Sequence, residues 1–261
     1  MKNKLLAIGN ALSVIMVIVL NYYSQSRGVN GKTVGELSDE YNNLFTPAGF
    51  AFSIWGIIFL MMIIYSIYQL ISVFGKSAAD SYRRTSVEKT SFWFMLANIG
   101  NVSWLFVWLN EWTGASVLVM LTILTSLLNI MLRTDLKVSG MSWKDRVFIT
   151  WPIAVYAGWI SVATIANFSA WLSKIGWEGG FLSEVQWTII MIFIAVLVNL
   201  FVIWKRNTHA FGMVGVWALF AIYARHQESF TTVATSAIVG AGLIFVVNIY
   251  HLIAKRKAFT L

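Results

Sequence analysis

A chain of 261 residues in which 58% of side chains are hydrophobic and only 11% are charged cannot hide its apolar surface inside a water-soluble globule, so it reads as an integral membrane protein. Its net charge of +8 would suit nucleic acid, but no basic run interleaved with aromatics forms a groove-binding surface. The absence of cysteine removes disulfides, iron–sulfur clusters and thiol nucleophiles, and three dispersed histidines (His209, His226, His251) leave little for a protein-held transition metal.

Eight apolar segments have helical length, over roughly 5–23, 48–74, 91–110, 114–132, 147–172, 187–204, 209–225 and 230–254. At 1.5 Å per residue each spans or nearly spans the ~30 Å hydrocarbon layer, 209–225 being the shortest. The predicted fold class is therefore all-α, a polytopic membrane helix bundle of about eight transmembrane helices. The first segment follows Met1-Lys2-Asn3-Lys4, a start that also suits a secretory signal. Asn21-Tyr22-Tyr23-Ser24-Gln25-Ser26 offers no small-x-small cleavage site, so this helix is expected to be retained.

The stretch 24–46 is the longest outside the apolar segments and carries Gly28, Gly31 and Gly35 with acidic Glu36, Asp39 and Glu40. It is expected to cap an outward-opening pocket. Gly31-Lys32-Thr33 looks like the end of a phosphate loop, but Gly28 sits two residues too close and no strand precedes it, so nucleotide binding is not expected. In the second segment Pro47 suits a first helical turn, and Phe52, Trp55 and Phe59 then line one face. An interfacial aromatic belt explains that face as well as a pocket does. The stretch 75–90 mixes Ser, Ala and basic residues and reads as a solvated connector.

In the third segment Asn101, Trp104 and Trp108 share a face, with Asn98 one turn earlier; a pocket wall and helix-to-helix hydrogen bonding are both open for the two amides. The fifth segment sets Tyr156, Trp159, Ala163 and Asn167 at steps of three, four and four, again one face. An amide in hydrocarbon is costly without a partner, so this face should point into a bundle. Asn129, Asn199 and Asn248 read as structural glue, and Ser236, Ala237, Gly240 and Ala241 form a small-residue seam in the last helix that favours internal packing.

Charge sorts the connections. The N-terminus, 75–90, 133–146, 205–208 and the C-terminal tail hold fifteen of the nineteen basic residues, whereas the alternate connections keep only Arg27, Lys32, Lys174 and Arg225. Both termini are therefore expected in the cytoplasm, for a multi-pass protein of the plasma (inner) membrane. The fifth helix then runs inside to outside, which puts Trp159 at mid-depth and Asn167 near the outer mouth, beside the cap.

These blocks resemble the tryptophan-rich sensory protein, or TspO/MBR translocator protein, family. Its fifth helix carries Pro-Tyr-x-x-Trp-x-x-x-Ala-x-x-x-Asn, and this chain has Val155-Tyr156-x-x-Trp159-x-x-x-Ala163-x-x-x-Asn167, with Pro152 about one turn early. The family's Asn-x-x-Trp-Ser of helix three is similar to Asn101-Val102-Ser103-Trp104-Leu105, with leucine for serine, and its helix-two motif is loosely similar to Phe52-Ser53-Ile54-Trp55-Gly56-Ile57-Ile58-Phe59. The resemblance implies a five-helix ligand-binding bundle over 1–172, followed by three additional helices over 173–261. It also implies a pocket for porphyrins and other flat hydrophobic ligands, with Trp55, Asn101 and Trp159 as pocket residues, and a sensory or receptor role. The full candidate set is Trp55, Phe59, Asn98, Asn101, Trp104, Trp108, Tyr156, Trp159, Ala163 and Asn167.

No intramembrane carboxylate pair, histidine cluster or activated serine is visible, so an enzyme is not expected. No cofactor is required, although a bound tetrapyrrole such as protoporphyrin or heme fits the resemblance. The expected partners are a hydrophobic small molecule and the lipid bilayer, not nucleic acid, and a homodimer is left open. A small-molecule transporter is the alternative; against it, ion-driven transporters keep ionisable groups inside the membrane and these segments contain almost none.

Overall fold

The structure is a computed structural model that describes residues 1–41, 43–75, 81–134, 146–177 and 179–257. Among these the chain is helical, with a single isolated bridge between Val29 and Lys32 and no strand. In chain order the helices are α1 (Lys2–Arg27), α2 (Val34–Glu40), α3 (Ile54–Phe74, entered through a 3-10 turn at Gly49–Ser53), α4 (Ser81–Thr90), α5 (Trp93–Leu109) and α6 (Thr113–Arg133). Then come α7 (Trp151–Lys174, entered through a π turn at Arg146–Thr150), α8 (Glu184–Arg206), α9 (His209–His226) and α10 (Thr231–Lys257).

All eight apolar segments are helices. Six are long and apolar enough to cross a membrane: 2–27, 49–74, 113–133, 146–174, 184–206 and 231–254. The other two are α5, whose 17 residues reach only about 26 Å, and α9, whose 18 residues include His209, Arg225 and His226 at its ends.

Two connectors differ from expectation. The stretch 75–90 is not simply a solvated connector: it contains α4, whose Ser86, Val87 and Thr90 are buried. Its sequence has no apolar run, and the buried stripe is narrow and partly polar. Thr90 Oγ1 donates to Ser86 O at 2.8 Å and lies 2.6 Å from the Tyr65 hydroxyl, while Asn3 Nδ2 donates to Glu88 at 2.7 Å. The stretch 24–46 contains α2 and buries Leu37, Leu44 and Phe45.

The chain forms two compact units, one of Met1–Val34 with Ile54–Ala157 and one of Gly35–Ser53 with Gly158–Leu261. In the first, α1 packs on α3 and α5, α5 on α6, and α4 on α1, α3 and α6. Ile58, Met62, Tyr65, Phe94, Leu105, Met120, Ile123 and Leu127 are fully buried, with Tyr65 edge-on to Phe94 at 5.0 Å. Hydrocarbon gives no hydrophobic drive between helices, so polar ties and close packing carry the association. The ties are here: Asn10 Nδ2 donates to Gln69 Oε1 at 2.9 Å, and Asn98 Nδ2 donates at 2.9 Å to Ser13 Oγ, which donates to Asn10 O at 2.7 Å.

In the second unit α8, α9 and α10 pack on one another. The small-residue seam of α10 serves that packing, since Ala237 and Ala241 are buried and a Cβ on Gly240 would stand 2.8 Å from Val196 Cγ2. Ser183 and Gln186 form a capping box that starts α8. The segment 35–53 is fastened onto this unit. Arg225 pairs with Asp39 and donates to Pro47 O at 3.3 Å, Leu44 N donates to Glu184 at 3.2 Å, and Trp217 Nε1 donates to Ala51 O at 3.2 Å. Of the three isolated asparagines, Asn129 and Asn199 donate to carbonyl oxygens four residues back in their own helices, and Asn248 reaches another helix.

Candidate functional site

Trp55 and Phe59 lie one turn apart on α3, so their rings meet, stacked with centroids 5.4 Å apart. Trp55 is also edge-on to Tyr156 at 6.1 Å, the arrangement that the ring quadrupole favours. Tyr156 is fully buried; its hydroxyl is hydrogen-bonded to the Asn101 side chain and donates to Ala97 O at a long 3.4 Å. Asn101 Oδ1 in turn accepts from Asn21 Nδ2 at 3.1 Å, and Asn21 also donates to Val17 O at 2.9 Å.

On α5, Trp104 and Trp108 stack at 5.7 Å; Trp108 is buried and Trp104 half-buried. Asn98, one turn before Asn101, ties α5 to α1 through Ser13. The first unit thus brings together Trp55, Phe59 and Tyr156 directly, and joins Asn101 to them through the tyrosine hydroxyl. Trp55, Phe59 and Trp104 are half-buried.

The remaining candidates belong to the second unit, because α7 passes from one unit to the other between Ala157 and Gly158. Trp159 is only 2% exposed and meets Phe52 edge-on at 6.0 Å. Ala163 is half-buried and Asn167 buried. One helical face therefore serves both units, Tyr156 in the first and Trp159, Ala163 and Asn167 in the second.

Sequence reasoning missed Asn10, Ser13, Asn21 and Gln69. A signal was present: Asn10, Ser13, Val17 and Asn21 follow steps of three, four and four along α1, the same spacing as the face that begins at Tyr156. The expected cap is anchored in both of its parts. Its beginning turns tightly at Gly28, Asn30 and Gly31, all with positive φ, and is held in the first unit by Asn30 Nδ2 on Leu109 O at 3.2 Å and by Lys32 facing Glu111 at 3.7 Å. Its end is held in the second unit by the Asp39 and Leu44 contacts.

Chemically, the cluster in the first unit has indole and phenyl faces beside an uncharged hydrogen-bonding chain. Such a set packs a flat apolar molecule and can orient one polar edge. Among the described residues no group of three or more His, Asp or Glu could hold a metal ion.

Neither the curated proteins nor the solved structures yield a match. The family model described as TSPO-like protein matches residues 7–250, running through α8, α9 and most of α10 as well as the first five apolar segments. The chain is an integral, multi-pass, helical membrane protein, and it belongs to the TSPO-like protein family.

Proposed function

We propose that this protein binds flat, largely apolar ligands of the porphyrin class inside the membrane, through the aromatic cluster of the first unit. The observation that carries the reading is the half-buried Trp55–Phe59 stack, set against a buried Tyr156 whose hydroxyl is held by Asn101. Trp55 and Phe59 supply the stacking surface, with Trp104 as a further ring. Asn101 acts as a positioning residue, since its amide oxygen is already engaged by Asn21. The role is reception rather than catalysis: the cluster contains no acid, base or nucleophile matched to a bond-breaking step. All eight apolar helices cross the bilayer in this reading, and both termini lie in the cytoplasm, as the distribution of basic residues requires.

The test is titration of the detergent-purified protein with protoporphyrin, followed by tryptophan quenching. A saturable one-to-one transition is expected. Trp55→Ala should weaken it by about tenfold, the upper range for one aromatic pair. Trp159→Ala, which removes a nearly inaccessible ring, should change it much less. Linear quenching, or identical curves for wild type and Trp55→Ala, would refute the assignment. Vesicle uptake that concentrates the ligand and collapses with an ion gradient would make the protein a transporter instead.

A further inference from the structure

We propose that His209 and His251 form a two-imidazole site for a transition-metal dication of the zinc or copper kind, with Asn248 orienting the first ligand. The two residues are far apart in sequence but belong to one compact unit, His209 at the start of α9 and His251 near the end of α10. Their ring centroids are 5.4 Å apart and their planes are inclined at 48°. With a metal–nitrogen bond of about 2.1 Å, each ring centre lies about 3.2 Å from the ion, and a tetrahedral opening then separates the two centres by about 5.3 Å. The spacing of the pair is already that of two ligands on one ion.

Asn248 decides which nitrogen of His209 is available. Its Nδ2 donates to His209 O at 3.0 Å, and since that carbonyl only accepts, the amide cannot be flipped. Its Oδ1 therefore faces the His209 ring, 2.6 Å from Nδ1. An amide oxygen only accepts, so Nδ1 carries the proton and Nε2 keeps its lone pair, the tautomer a metal binds. Asn248 and His251 are buried, and Trp204 packs on the His251 ring at 5.6 Å, which restricts its rotation.

The donor set also selects the ion. Neutral imidazoles suit zinc and copper, whereas magnesium and calcium require oxygen ligands. With no third His, Asp or Glu grouped among the described residues, solvent completes the coordination.

The experiment is calorimetric titration of the untagged full chain in detergent with zinc chloride, and with magnesium chloride in parallel. One saturable zinc event and no magnesium event are expected. His251→Gln should abolish it while leaving the His209–Asn248 bond in place, and His209→Gln should do the same. Asn248→Ala should weaken it tenfold or more, and His226→Gln should leave it unchanged. The electron paramagnetic resonance spectrum of the copper-loaded protein should show coupling to two nitrogens, reduced to one in His251→Gln. No saturable zinc binding, unchanged binding in His251→Gln or Asn248→Ala, or equal loss in His226→Gln would overturn the proposal. Porphyrin binding does not enter this test, so failure of either assignment leaves the other standing.

Discussion

Replacing Tyr156 by phenylalanine separates scaffold from ligand contact. The ring remains, and with it the edge contact to Trp55 at 6.1 Å; only the hydroxyl is lost. Its contact with Ala97 O, at 3.4 Å, is at the limit of a hydrogen bond and contributes little. The bond with Asn101 is the larger loss, about 0.6 kcal/mol by analogy with measured bonds between membrane helices and up to about 1.5 kcal/mol for a buried pair. Asn101 Oδ1 still accepts from Asn21, so the loss is confined to the amide N–H that faced the hydroxyl. Tyr156→Phe should therefore lower stability by about 0.6–1.5 kcal/mol in reversible detergent unfolding. It should change protoporphyrin affinity by less than about threefold, well below the tenfold expected of Trp55→Ala. A Tyr156→Phe protein of wild-type stability that binds tenfold more weakly would refute the reasoning, because the hydroxyl would then touch the ligand itself.

Asn10→Leu or Gln69→Leu alone strands a buried amide and should cost about 1–3 kcal/mol, whereas the double variant should be more stable than either single one by the same unfolding assay. His226 follows the apolar stretch of α9, and burial, then the neighbouring Arg225 charge, lower its pKa from the ordinary 6.5. The folded state thus resists protonation that the unfolded chain accepts, so stability is full above that range and falls as pH drops through and below it. A melting temperature that declines from pH 7 to pH 5, and declines less in His226→Gln, is the expected result. Finally, the chain has no cysteine, so single cysteines report orientation cleanly. A membrane-impermeant maleimide should label Phe181→Cys, at a position 93% exposed, from outside intact cells and Lys205→Cys only after permeabilisation; the reverse pattern refutes the orientation.

Helix positions were legible because apolar runs of this length have few alternatives in a chain with so little charge. Even α9, marked by the shortest of the apolar stretches, starts and stops within one residue of it. What was not legible was local and polar. Ser81–Thr90 lacks an apolar period, and its helix rests on a few buried contacts such as Thr90 with Tyr65, which no pattern along the chain announces. The aromatic face of α7 was readable as a face, since 3.6-residue periodicity sets that. That it serves two compact units was not, because the division between Ala157 and Gly158 depends on what each half of the helix packs against. The same holds for Asn98, whose partner is Ser13 on α1, and for His209 and His251, whose 5.4 Å separation is a product of α9–α10 packing.

The choice of polar groups in the first unit also bears on mechanism. Asn10, Asn21, Gln69, Asn98 and Asn101 are all amides, joined to one another, to serine or to tyrosine. An amide in hydrocarbon can be satisfied by a neighbour at modest cost, whereas a carboxylate or ammonium there demands several kcal/mol unless paired. These amide ties carry no charge, so neither the membrane potential nor a proton gradient acts on them directly. On the proposed function, a neutral tie such as the one from Asn101 to Tyr156 suits recognition of a ligand dissolved in the membrane.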